Sequence, residues 1–195
     1  MDPLPFVQLR PRSFDLLFIF DYCYLDLDGL ESLLVPYQER FLAAWSMGVW
    51  VAARFLDGTD LSFRKLTAIG GTLHPIDDRL GIPAARYHAV AAMLDTTTVY
   101  RFYADMFSDR QQLQRFLASR PTPSRKRLDQ ELMALRSWYA LYGPGHDIYT
   151  DKIILLRDRV IPGRNQQRSW GRGCRQLRFG HFPFYDLGGF DLFLQ

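Results

Sequence analysis

The stretch "YQERFLAAWSMGVWVAARFL", residues 37–56, decides how the rest of the chain is read. Tyr37, Phe41, Leu42, Trp45, Val49, Ala52 and Leu56 recur at three- and four-residue intervals. That spacing predicts an amphipathic helix, and Pro36 suits its first turn. Asp57-Gly58 closes it, and Asp60 caps a further short helix through Ile69, ended by Gly70-Gly71.

Similar spacing continues downstream. Pro83 opens a helix with Tyr87, Val90, Ala91 and Leu94 inward, and Thr96–Thr98 caps one carrying Val99, Phe102, Tyr103 and Met106. Ser108 or Asp109 opens the next, with Leu113, Phe116 and Leu117 inward. Leu128, Leu132, Leu135, Trp138, Tyr139 and Tyr142 mark another, stopped by Gly143-Pro144-Gly145. Ile148 to Ile161 reads as a helix or a strand. Upstream, Phe14 to Leu27 is read as a helix, although a strand also fits, and Asp28 with Glu31 forms a capping box. The resulting expectation is an all-α fold, a compact antiparallel helical bundle with an irregular C-terminal segment from residue 162. It forms one domain, with a subdomain boundary at the Pro-bearing linker near 120–125.

Bulk properties agree with one packed unit. The chain has 195 residues, 48% apolar, with fifteen Phe, ten Tyr and four Trp, enough for a full core. The N-terminus lacks the apolar run of a signal peptide, and no apolar run nears the ~18 residues of a membrane span. Cytoplasmic residence is therefore expected. Cys23 and Cys174 form no metal or redox spacing and read as free thiols.

Charge is unevenly placed. Net charge is +3, but residues 1–60 carry −5 and residues 121–195 carry +5. The acids concentrate in "FDYCYLDLDGLE", 20–31, among aromatics and leucines. From Arg159 to Tyr185 six arginines are interleaved with aromatics, without an acid.

Catalytic signatures are not evident. No Gly-x-Ser-x-Gly occurs, and Cys23 lies among acids that disfavour a thiolate. The glycine runs lack the Lys-Ser/Thr of a phosphate loop. His74, Asp77, Asp78, His146 and Asp147 match no metal spacing, and turn and capping roles account for them. No catalytic residue, metal or cofactor is expected.

Three stretches resemble one known family: "LESLLVPYQERFLAAWSMGVWVAARFLDGTDLSFRKL" (30–66), "LDQELMALRSWYALYGPGHD" (128–147) and "HFPFYDLGGF" (181–190). The family is the immunity proteins that neutralise polymorphic-toxin DNases of the PoNe class in bacterial competition. The resemblance implies an all-helical, cytoplasmic, non-enzymatic antitoxin whose partner is a cognate toxin, a basic nuclease. A blocking partner of a DNase presents carboxylates where the substrate's phosphates would lie. Asp15, Asp21, Asp26, Asp28, Glu31 and Glu39 would supply that charge, with Tyr22, Tyr24 and Tyr37 as buried anchors. The bland counterpart is that these acids are helix caps and solvated surface. The alternative function is nucleic-acid binding by Arg164, Arg168, Arg172, Arg175, Arg178 and Trp170 of the tail. Against it stands the reading that these arginines cover the acidic N-terminal third or face water.

Overall fold

The computed structural model describes residues 3–11, 14–24, 29–92, 96–119 and 125–191. The deciding stretch is not one helix. Phe41–Trp45 is a strand, β1, and Gly48–Phe55 is a helix, α2, with a two-residue corner between them. Lys65–Ile69, expected in a helix, is the second strand, β2. Asp151–Leu155 forms β3 and Arg175–Leu177 forms β4. They make one four-stranded sheet, wholly parallel, in the order β1-β2-β3-β4. The expected all-α bundle is thereby corrected to an α/β fold. The physical cause lies in burial. Thr67, Ala68 and Ile69 are buried together, as are Ile153, Ile154 and Leu155. A strand covered on both faces shows no alternation, so a short apolar run looks the same in strand and helix.

Parallel strands need crossovers, and these are helical. A short helix, α1 (Leu30–Leu34), precedes the sheet, and α2 joins β1 to β2. The long crossover from β2 to β3 carries α3 (Ala84–Ala92), α4 (Thr96–Met106), α5 (Arg110–Ala118) and α6 (Arg125–Tyr142). These stand where the 3.6-residue period placed them, and Asp109 caps α5 by accepting from the Gln112 N–H at 2.9 Å. The linker at 120–124 lies outside the described residues. Between β3 and β4 runs α7 (Gly163–Trp170), and α8 (Phe184–Leu187) follows the sheet.

The segment read as a helix from Phe14 has no regular structure at Asp15–Phe20. Residues 25–28 lie outside the described residues, the capping Asp28 among them, and α1 begins after Gly29 without a side-chain cap.

One core cluster ties the long crossover to the sheet. Tyr103, Met106, Phe107 and Phe116 of that crossover pack with Ile69, Ile153, Leu155, Phe182 and Phe184. Phe6 joins them, its ring 5.1–5.2 Å from those of Phe182 and Phe184. Two of the aromatics that follow the tail arginines are therefore core: Phe182 and Phe184 are 1% and 2% exposed. No helix among the described residues is long and apolar enough to cross a membrane.

Candidate active site

The corner between β1 and α2 is Ser46-Met47. Ser46 has φ +58°, in the left-handed region that a non-glycine residue rarely adopts. Three contacts hold it there. Its N–H donates to the Ile69 carbonyl at 3.0 Å, continuing the β1–β2 ladder, and its own carbonyl accepts from Val49 N–H at 3.1 Å, starting α2. Gly71 comes so near that an added Cβ would lie 2.2 Å from the Ser46 carbonyl oxygen. Gly48 leaves room for the Tyr22 hydroxyl, which an added Cβ would meet at 2.8 Å and displace. A serine on a sharp strand-to-helix turn, with small residues around it, projects its Oγ above the strand ends.

His181 faces it. Its Nε2 lies 2.8 Å from Ser46 Oγ, and its Nδ1 lies 2.6 Å from Asp158 Oδ2. His181 is 1% exposed and Asp158 is 6% exposed. Asp158 sits in the loop after β3 and His181 in the loop after β4, so all three groups share the C-terminal edge of the sheet. Asp158 Oδ1 accepts from the N–H groups of Val160 and Ile161 at 2.7 and 2.9 Å, and Oδ2 accepts from Gln166 Nε2 at 2.8 Å. The histidine's backbone is gripped from both sides. Trp45 Nε1 donates to its carbonyl at 2.7 Å, and Phe182 N–H donates to Met106 O at 3.1 Å.

This is a complete nucleophile–base–acid relay. Asp158 holds the imidazole with Nδ1 as donor, which leaves Nε2 to accept the serine proton. Beside it opens a cavity of about 1140 Å³, lined by Ser46 and His181 and by Ile82, Val90, Phe102 and Leu132 of the long crossover. Two carbonyls at the start of that crossover, Asp78 and Gly81, accept from Asn165 Nδ2 at 3.1 and 2.9 Å, which fastens it to α7.

None of the three triad residues was singled out from the sequence. The usable signal was Ala44-Trp-Ser46-Met-Gly48 between an apolar pentad and a helix, the strand–Ser–x–Gly–helix pattern with Ala in place of the first glycine.

The residues that were singled out do not converge on the triad. Asp21 pairs with Arg127 and Glu39 with Arg64. Tyr37 is exposed and donates to Asp15 at 2.7 Å, and Tyr24 and Glu31 are exposed. Tyr22, Tyr37 and Glu39 line the cavity, while Asp26 and Asp28 lie outside the described residues. Arg164, Arg168, Arg172 and Arg178 are exposed; Arg175 is 3.7 Å from Asp151. Trp170 donates to the Gly71 carbonyl at 2.8 Å and packs on Tyr149. Asp77 and Asp78, read from the sequence as turn and capping residues, accept backbone bonds: Asp77 from Arg79 and Leu80 N–H, and Asp78 from Ala84 N–H, each at 2.8 Å. Among the described residues no group of three or more His, Cys, Asp or Glu is placed to hold a metal.

Known proteins bear on the same site. The family model described as "Pimeloyl-ACP methyl esterase BioG" matches residues 6–191. The malonyl-[acyl-carrier protein] O-methyltransferase of Bacteroides fragilis (strain 638R) is 33% identical over 186 residues, 95% of this chain but 38% of that relative. The chain thus spans well under half of that protein's length. An uncharacterized protein of Haemophilus influenzae is 32% identical over 182 residues, 90% of this chain and 80% of the relative. Among solved structures, BioG from Haemophilus influenzae superposes with a TM-score of 0.87 at 29% identity, covering 99% of this chain and 89% of that one. An esterase from Exiguobacterium antarcticum, at 19% identity, shares the fold with a TM-score of 0.56 over 80% of this chain and 64% of its own.

These findings overturn the resemblance to toxin-DNase immunity proteins. With it go the non-enzymatic antitoxin, the cognate toxin partner and the nucleic-acid alternative. The shared helical spacing misled because Trp and Leu at such intervals occur in any packed crossover. A model of an esterase family over nearly the whole chain, and a Ser–His–Asp relay within it, lead to one conclusion: the chain belongs to the BioG family.

Proposed function

We propose that the protein hydrolyses a methyl ester at the end of an acyl chain borne by acyl carrier protein. The observation that carries the reading is the 2.8 Å approach of His181 Nε2 to Ser46 Oγ. Ser46 Oγ attacks the ester carbonyl while His181 Nε2 takes its proton. The Met47 N–H, next after the nucleophile at the start of α2, is positioned by sequence to donate to the developing oxyanion. His181 then returns the proton to the departing methoxide, and methanol leaves. Water, deprotonated by the same imidazole, cleaves the acyl-enzyme to the free acid. The cavity, walled in part by α3, α4 and α6, suits an apolar chain: Ile82, Val90, Phe102 and Leu132 are among its lining residues, and its volume is ample for a chain of several carbons. The methyl transfer named for the Bacteroides relative belongs to a protein of which this chain spans 38%, and it is not carried over. Action in the cytoplasm remains part of the proposal.

The test is methanol release from a carrier-protein-bound dicarboxylate monomethyl ester, followed by mass spectrometry of the carrier protein. Native protein removes 14 mass units per ester, about one methylene, and Ser46→Ala lowers kcat by roughly 10⁶-fold. Equal rates for the two proteins would overturn the proposal.

A further inference from the structure

We propose that Gln166 is a positioning residue of the hydrolytic site, holding the Asp158 carboxylate that orients His181; the inference rests on the esterase reading. Gln166 lies in the first turns of α7, wholly buried. Its Oε1 accepts from the Leu155 N–H at 2.9 Å, at the last residue of β3. Its Nε2 donates to Asp158 Oδ2 at 2.8 Å and to the Ile161 carbonyl at 2.7 Å. One amide therefore spans the whole loop that carries the acid, from the end of β3 to the start of α7.

The orientation of this amide is forced. Flipped, its oxygen would face a carboxylate and a carbonyl, and its NH₂ would face an N–H. As placed, every contact pairs a donor with an acceptor. Gln166 also reaches the same carboxylate oxygen that His181 does. Asp158 thus has its Oδ1 fixed by two backbone N–H groups and its Oδ2 shared between His181 and Gln166. Two N–H bonds at one oxygen leave the carboxylate free to swing about them. The Gln166 bond at the other oxygen removes that freedom, so the imidazole finds its acceptor in one place throughout the cycle.

The test uses Gln166→Met and Gln166→Glu in the full chain, with p-nitrophenyl butyrate as probe. Gln166→Met keeps the volume and loses every polar contact. Its kcat is expected to fall about tenfold or more, with KM within about twofold, because a hydrogen bond to a charged group is lost from a site that acts after binding. Gln166→Glu can donate to Asp158 only while its added carboxyl keeps a proton. Its activity relative to native is expected to rise as pH is lowered, a reversal that mere loosening of the loop would not produce. A folded Gln166→Met with native kcat would overturn the proposal. So would a Gln166→Glu whose pH profile parallels native, a result that stays decisive if the Met variant does not fold. Failure of native protein to hydrolyse the probe would instead count against the esterase reading.

Discussion

Gly71→Ala tests whether the strained corner at Ser46 is set by close backbone approach. The added methyl would lie 2.2 Å from the Ser46 carbonyl oxygen and 2.5 Å from Val49 Cγ2. A Cβ does not come within 3.0 Å of such an atom, so one backbone must retreat by about 0.8 Å. Neither is free to do so. Gly71 O is held by Trp170 Nε1 at 2.8 Å, and Gly70 N–H by the Ile153 carbonyl at 3.0 Å. The Ser46 carbonyl meanwhile anchors the first turn of α2. Relief must therefore tilt the corner, moving Ser46 Oγ away from His181. Overpacking of this kind costs about 1–3 kcal/mol of stability. A displacement near 1 Å at a reacting group costs about 10²-fold in rate. The assay is kcat and KM on p-nitrophenyl butyrate beside a urea unfolding curve. Gly145→Ala is the control, because the three atoms nearest its added methyl belong to side chains, Ala53 Cβ at 3.2 Å, Arg54 Cδ at 3.7 Å and Leu73 Cδ2 at 3.8 Å, and none to the backbone of the Ser46 corner. A Gly71→Ala protein with native kcat and native unfolding midpoint would refute the argument that this glycine shapes the nucleophile.

Two further outcomes follow from the site and the core. In Asp158→Asn the two backbone N–H groups at Oδ1 hold the amide oxygen there, which turns the NH₂ toward His181 Nδ1 and forces the wrong tautomer; kcat should drop about 10³- to 10⁴-fold, and because that NH₂ also meets the Gln166 Nε2 donor, the urea midpoint should fall as well. Burial raises the pKa of Tyr22, Tyr87 and Tyr149, with Glu131 adding to the first two. Unfolded tyrosines ionise near pH 10 while these resist, so their contribution to stability is intact below about pH 10 and lost as pH rises above it; the urea midpoint should be lower at pH 11 than at pH 9, with tyrosinate absorbance appearing as the chain unfolds.

The crossover helices were legible because each is long enough to display a period. Tyr87 and Phe116 face inward as their spacing requires. The strands were not legible. Phe41–Trp45 is five residues long, and β2 and β3 are buried without alternation, so helical spacing could be threaded through them by chance. Their misreading then hid the nucleophile, since Ser46 is informative only when a strand precedes it and a helix follows. Asp158 and His181 carry no local mark at all. They lie 23 residues apart, and His181 is 135 residues from Ser46, so only the sheet brings the three together. The acids that drew attention near the N-terminus are partly consumed in ordinary pairing, Asp21 with Arg127 and Asp15 with Tyr37.

The long crossover between β2 and β3 has a consequence for how such a protein can change. It contributes apolar cavity walls yet none of the triad, which sits before it and after it. Its start is closed by a small lasso, where Ile76 bridges Ile82 and Asn165 clamps the loop from outside. The crossover thus adds wall residues from α3, α4 and α6 to those that residues 3–63 supply, without carrying any of the reacting groups. That share of the wall can drift and reshape the cavity while Ser46, Asp158 and His181 are inherited intact, so long as Tyr103, Met106, Phe107 and Phe116 keep their packing against the sheet.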